Sequence, residues 1–294
     1  MAASQSDQQD HNELGRFSSP LADAPARDAM DEALRNHWLE MWYQPKIDLK
    51  RKCLAGAEAL ARICHPSKGV LWPQSFLPGA SEESFVQLTE HALRASLYDW
   101  SLFAEAGFNL HLAINVPASA VHSLPIAALV ADCRPASESW PGLILEVTED
   151  EIVRDIARTQ KVAPALEASG VSIAIDNFGA GFSSFASLRD LPFAELKIDS
   201  SFVKNCAVDA DNAAICQTAI DLAHRFSSVA VAEGIESMAD LQALVAMGCD
   251  FGQGILVAPP MPKQRFIDLL KQRMNKPPQA SVAPAVESAT VSAR

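Results

Sequence analysis

The sequence has no CxxC pair and no dense cysteine framework. Its six cysteines, Cys53, Cys64, Cys133, Cys206, Cys216 and Cys249, are scattered, several of them inside apolar runs. That argues against a disulfide scaffold and a cysteine-built zinc site, and reads as reduced, packed thiols of a cytoplasmic protein. No apolar run approaches the ~20 residues of a membrane span, and the polar N-terminus is no signal peptide. Positive charge is scarce: 24 Lys and Arg stand against 36 Asp and Glu, a net charge of −12. Without basic patches, binding to a nucleic-acid polymer or an anionic membrane is disfavoured, whereas divalent cations suit the balance. The seven histidines show no ligand spacing, so His65, His111 and His224 read as structural or surface residues. Repeats at solenoid periods are also missing.

What is there is a large core. Hydrophobic residues make up 49% of the 294, enough for a single α/β barrel of about 250 residues. Residues 1–27 are polar and aperiodic, and 276–294 are rich in Pro, Ala and Ser; both read as disordered tails. Residues 28–275 contain no clear linker and read as one domain. Strand-like runs (Leu39–Tyr43, Cys53–Ile63, Leu110–Val116, Leu143–Val147, Val171–Ile175, Ala194–Ile198, Val229–Ala232, Phe251–Val257) alternate with helix-like ones. The helices expected are Ser81–Ala106, one near Leu124–Cys133, one ending at Gly170, Asp211–Phe226, Met238–Met247 and Lys263–Met274. Eight strands with intervening helices fit a (β/α)8 barrel, and a doubly wound sheet obeys the same pattern.

The stretch Val171–Leu188, VSIAIDNFGAGFSSFASL, organises the chain. A buried strand stops at Asp176-Asn177, small residues Gly179, Ala180 and Gly181 let the backbone approach a ligand, and Ser183 and Ser184 offer an N-cap. Other strand tips carry Glu58, Asn115, Glu146, Lys197, Asp199, Glu233, Glu236 and Gln253. In a barrel these tips converge on one mouth. So many carboxylates aimed at one place repel each other unless a cation sits among them. Carboxylates and amides without His or Cys are the hard-oxygen set for Mg2+, Mn2+ or Ca2+. Such a cluster suits phosphodiester cleavage, with Lys197 holding the water or neutralising developing charge; the structural alternative is an ion pair stitching two strands. Arg62, four residues after Glu58, meets a phosphate as a fork or sits at a rim. Metal-dependent phosphoester hydrolysis leads, with sugar-acid and aldolase-type barrels as alternatives.

Glu58-Ala59-Leu60 within GAEALAR, followed in order by further motifs, resembles the EAL-domain family of bacterial cyclic di-GMP phosphodiesterases. The accompanying motifs are Tyr43-Gln44-Pro45, Ile114-Asn115-Val116, Leu145–Glu149, Asp176–Ser184, Leu196–Asp199, Ala232-Glu233-Gly234 and Gln253-Gly254, and the resemblance spans Trp38 to Leu270. It implies a modified TIM (β/α)8 barrel whose first strand is antiparallel. It also implies Mg2+ or Mn2+ as cofactor, with Ca2+ inhibiting, and pGpG as product. Metal ligands carry over to Glu58, Asn115, Glu146, Asp176 and position 177. Lys197 matches the residue that holds the attacking water, and Glu233 the general base or second-metal organiser. Gln44, Leu60, Arg62, Asp199, Glu236 and Gln253 match positions lining the nucleotide site. Glu149 matches the anchor of the loop Phe178–Ser184, through which a homodimer influences metal binding.

The sequence also departs from the family pattern. Asn177 stands where a second aspartate is usual, removing about one unit of ligand charge from the second ion. Smaller departures are Ala180, Phe182, Pro117 and Ile255. An active but slowed phosphodiesterase is therefore weighed against a catalytically weak cyclic di-GMP sensor acting through a protein partner. Glu58, Asn115, Glu146, Asp176, Lys197 and Glu233 are all present, which weighs against a degenerate scaffold.

Overall fold

A computed structural model describes residues 26–180, 189 and 191–274. The expected tails lie outside these residues, except that Ala26 and Arg27 open the helix Ala26–Asn36. The Ser183/Ser184 cap and the far side of the loop Phe178–Ser184 also lie outside them.

Among the described residues ten strands form one sheet: β1 (Leu39–Asp48), β2 (Cys53–His65), β3 (Gly69–Leu71), β4 (His111–Asn115), β5 (Leu143–Thr148), β6 (Val171–Phe178), β7 (Glu195–Ile198), β8 (Val229–Ala232), β9 (Phe251–Gly252) and β10 (Met261–Pro262). Neighbours run β1-β9-β8-β7-β6-β5-β4-β2, and β2 returns to β1, so eight strands close into a barrel. β1 is antiparallel to both its barrel neighbours. The six junctions from β2 round to β9 are parallel. This is the modified TIM barrel with an antiparallel first strand, and the doubly wound alternative falls away. Strands buried on both faces read as apolar runs, which is why β4, β5 and β6 stood out in the sequence.

Several boundaries differ from expectation. β1 continues through Pro45, which pairs with Ala57. Its missing N–H falls between the β10 and β9 pairings, where β1 has no outer neighbour. The strand expected near Phe251–Val257 is β9 and ends at Gly252, because the chain turns back at Gly254, with Val257 and Ala258 N–H bonded to Gly254 O. The helix expected near Leu124–Cys133 is present as Ile126–Cys133, and a further helix not expected from the sequence, Ala118–Ser123, precedes it, the two separated at Leu124-Pro125. The one ending at Gly170 is two helices, Glu149–Arg154 and Ile156–Ala168. Met238–Met247 and Lys263–Met274 stand as expected, the first capped by Ser237 Oγ and closed by left-handed Gly248.

The main core lies between the sheet and its outer helices, with Leu93, Leu97, Phe103, Ile114, Leu145, Ile175, Leu196 and Ala219 fully or nearly fully buried. A second cluster joins Met30 and Ala33 of the first helix to Ile63, Leu71 and Phe76. Among the described residues no helix is long and apolar enough to cross a membrane.

Candidate active site

Consecutive residues of a strand point to opposite faces, so Glu58, Glu146, Asp176 and Lys197 reach one space only if their registers agree. They do. Asn115 pairs with Glu146 across β4–β5, and Asp176 sits one pleat beyond the partner of Glu146 on β6. Lys197 is 1% exposed at its side chain and lies at the centre. Its Nζ is 2.6 Å from Glu233 Oε1, 2.7 Å from Glu146 Oε2, 3.3 Å from Asp176 Oδ1 and 3.6 Å from Glu58 Oε2. Asn115 Nδ2 donates to Glu58 Oε1 at 2.6 Å. Gln253 Nε2 donates to Glu58 Oε2 at 2.5 Å and to Glu233 Oε1 at 3.3 Å.

The electrostatics follow from one cation facing four carboxylates, most of them buried. Burial raises the Glu58 carboxyl, but Lys197 and the amides of Gln253 and Asn115 outweigh it and leave it below the ordinary range. Glu146 is pushed well above that range, by burial first and then by Glu58. Burial raises Glu233 to about 7, with Lys197 opposing and Asp176 and Glu58 adding. Burial alone would lower Lys197, yet the four carboxylates hold it well above its usual value.

Three N–H donors cannot satisfy four carboxylates. Glu146 Oε2, Asp176 Oδ1 and Gln253 Oε1 are buried and lack a hydrogen bond of suitable geometry. Among the described residues no three His, Cys, Asp or Glu side chains surround a common ion position, because the carboxylates gather on Lys197. Hard oxygens whose negative charge exceeds that of the one lysine among them are nonetheless the donor set a Mg2+ or Mn2+ ion takes, so the residues present fit such an ion.

Other predicted site residues lie around this centre. Gln44, Leu60 and Glu236 line the same hollow of about 270 Å³ as Asp176, Lys197 and Glu233. Gln44 Nε2 donates to Ala258 O at 3.3 Å, and exposed Glu236 lies 3.5 Å from Lys204 Nζ. Asp199 caps the short helix Ser200–Val203, accepting from Ser201 N at 2.8 Å. Asn177 adopts φ 55 and lines a neighbouring hollow with Glu149, Asp150 and Asp199. Glu149 Oε2 accepts from Gly179 N at 3.0 Å, tying the helix after β5 to the start of the loop. Arg62 is buried against both Trp72 and Trp42.

Sequence reasoning missed a second cavity of about 450 Å³ beside the acidic centre, shared by Glu58, Asn115 and Glu146 with Phe85 and Leu88. It also missed Lys46, whose Nζ lies 2.6 Å from both carboxylate oxygens of Glu195 deep in the barrel. A lone lysine in a strand carries no signal for that pair. The two tryptophans beside Arg62 had none either, since Trp42 of β1 meets Trp72, at the start of the helix Pro73–Phe76, only in the folded chain.

Comparison with known proteins bears on what this centre does. The family profile described as "EAL domain" matches residues 27–260. The bifunctional diguanylate cyclase/cyclic di-GMP phosphodiesterase MucR of Pseudomonas aeruginosa is 36% identical over 242 residues, 80% of this chain and 35% of that protein. The cyclic di-GMP phosphodiesterase RocR of the same organism is 32% identical over 250 residues, 84% of this chain and 64% of that protein. A solved structure described as PaMucR phosphodiesterase, c-di-GMP complex, superposes with a TM-score of 0.75 at 34% identity, covering 82% of this chain and 99% of that one. The chain thus spans about a third to two thirds of the length of these curated relatives.

Proposed function

The chain belongs to the EAL-domain family, and on that premise we propose that it hydrolyses cyclic di-GMP to linear pGpG with a divalent cation. The observation that carries the reading is the set of four carboxylates, three of them buried, that converge on the single cation Lys197 and leave a surplus of negative charge.

Glu58, Asn115, Glu146 and Asp176 would hold the ion, Mg2+ or Mn2+, with Ca2+ binding unproductively. Asn115 donates its amide N–H to Glu58, which leaves its carbonyl oxygen to face a cation. When bound, such an ion polarises a phosphoryl oxygen and brings the pKa of a nearby water toward neutrality. Lys197 orients that water through an N–H and offsets negative charge as the phosphorane forms. Glu233, fixed by Lys197 and Gln253, accepts the water's proton. Gln44, Leu60, Arg62, Asp199, Glu236 and Gln253 hold the nucleotide around the mouth. Glu149 holds the loop through Gly179, and a homodimer acting on that loop, like a cytoplasmic location, belongs to the same proposal.

Asn177 favours a second reading, a cyclic di-GMP sensor acting through a protein partner. A neutral amide replaces a charged ligand at the second ion, and each 1.4 kcal/mol lost there is about tenfold in affinity. The test is hydrolysis of cyclic di-GMP in Mg2+ and in Mn2+ by the parent and by Asn177→Asp. The left-handed backbone at residue 177 (φ 55) accepts aspartate as readily as asparagine, so the variant changes charge and not fold. Multiple turnover by the parent, faster in the variant at limiting metal, is expected of the enzyme. Turnover by the variant alone, with the parent binding nucleotide, makes the parent a sensor. Turnover by neither overturns the metal assignment.

A further inference from the structure

The β1–β2 hairpin carries the site beyond the barrel mouth. β2 pairs with β4 only over Gly56–Ala59, whereas its ladder with β1 runs on to Ile63. Residues paired across a ladder share a face, and so do residues two apart. Gln44 pairs with Glu58, Trp42 with Leu60 and Glu40 with Arg62. One continuous face therefore holds four of the residues assigned above, Gln44, Glu58, Leu60 and Arg62, and Trp42 lies in line with them. Glu58 and Arg62 stand roughly 13 Å apart along the strand, about the reach of one nucleotide.

At the far end of that face Arg62 is 2% exposed. Its guanidinium carbon is 4.2 Å from the Trp72 ring centroid and 5.7 Å from that of Trp42, and the two indoles meet edge to face at 6.1 Å. Glu40, opposite Arg62 in the ladder, turns elsewhere and accepts from Trp42 Nε1 at 3.1 Å and Cys64 Sγ at 3.0 Å. Arg62 donates to Ala61 O at 2.8 Å, while its buried Nε–H has no partner. A buried guanidinium with an idle donor awaits an acceptor. Trp72 is 46% exposed, and its backbone is fixed at the start of the helix Pro73–Phe76 by Ser75, whose Oγ donates to Trp72 O at 2.7 Å. Pro73 and Gln74, the next two residues, line the cavity shared with Glu58 and Glu146.

We propose that Trp72, backed by Arg62 and Trp42, is the platform on which one purine base of the bound dinucleotide stacks. The guanidinium fixes the inner face of the indole by cation–π contact and leaves the remaining surface to a base, a flat partner that aromatic side chains take without reading its sequence. The idle Nε–H then meets a phosphate or carbonyl oxygen of the same nucleotide. This assignment rests on cyclic di-GMP being the ligand, and it adds a positioning residue that the EAL motifs do not contain.

The experiment is titration of the whole chain with cyclic di-GMP in Ca2+, followed by calorimetry and by indole fluorescence, with hydrolysis in Mn2+ measured separately. Trp72→Ala is expected to weaken binding about tenfold and to raise KM far more than it lowers kcat. Trp72→Phe is expected to restore most of the affinity while losing most of the ligand-induced fluorescence change. Parental affinity in Trp72→Ala overturns the platform. A parent that binds in this Trp72-dependent way but does not hydrolyse overturns the phosphodiesterase reading and leaves the platform standing. A parent that binds no cyclic di-GMP overturns both.

Discussion

Lys197 offers three N–H donors to four carboxylates brought in by β2, β5, β6 and the residue after β8. Removing it leaves buried negative charge with no counter-charge, a loss of about 3–5 kcal/mol when one partner of a buried pair is deleted. Lys197→Met is accordingly expected to unfold at lower denaturant than the parent when a chelator is present. The gap should narrow as Mn2+ or Mg2+ is raised, since a divalent ion bound by Glu58, Glu146 and Asp176 supplies the missing charge. Stabilities of both proteins indifferent to metal would mean that these carboxylates take no ion. The measurement is an equilibrium unfolding curve and does not depend on turnover.

The turn after β9 shows how an element aims a side chain. Gln253 N–H bonds to Ala232 O, and Ile235 N–H bonds back to Gln253 O, so the ends of β8 and β9 are laced together. This lacing holds the Gln253 amide against Glu58 and Glu233. It needs a glycine next in line, because a Cβ on Gly254 would collide with the backbone N and O of Ile235. Backbone cannot step aside as a flexible side chain can. Gly254→Ala is therefore expected to cost about 2–3 kcal/mol, the upper part of the range for overpacking, and to lower cyclic di-GMP affinity by displacing Gln253. Chemical denaturation and calorimetry together read both effects. A variant as stable as the parent would show that the turn is not held so tightly.

At the scale of the whole barrel, Glu195 and Lys197 are two apart on β7 and point the same way, into the interior at successive depths. Lys197 serves the mouth, and Glu195 is paired with Lys46 of β1 across the barrel, at side-chain exposures of 6% and 3%. β1 and β7 are not neighbours in the sheet, so this tie braces the strand that runs against the others. Lys46→Met strands the Glu195 carboxylate and should cost about 3–5 kcal/mol. The double variant Lys46→Met with Glu195→Leu should recover most of that loss, because a well-packed apolar pair replaces a buried ion pair at little cost. Denaturant midpoints of the four proteins of this cycle give the coupling directly, and additive losses would contradict a bracing pair.

The sequence by itself determined the eight strands that close the barrel, most of the helices between them and the carboxylates that meet on Lys197. Apolar runs such as Ile173–Ile175 and capped helices such as Met238–Met247 are local patterns, and local backbone preference and burial generate them without reference to the rest of the chain. The motifs around Asn115, Glu146, Asp176, Lys197 and Glu233 were equally legible, since they stand at or near strand ends, which converge in a barrel, whereas Glu58 lies inside the long β2 and was legible from its motif. Tertiary structure alone decided the rest. Closure through antiparallel β1, expected from family resemblance, is a matter of which strands pair, and hydrophobic pattern does not encode partners. The Lys46–Glu195 tie, the carboxylates' gathering on Lys197 and the packing of Arg62 against Trp72 and Trp42 each join residues on different strands or across a loop. Their energies depend on distances and on exclusion of water, and both arise only when the barrel closes.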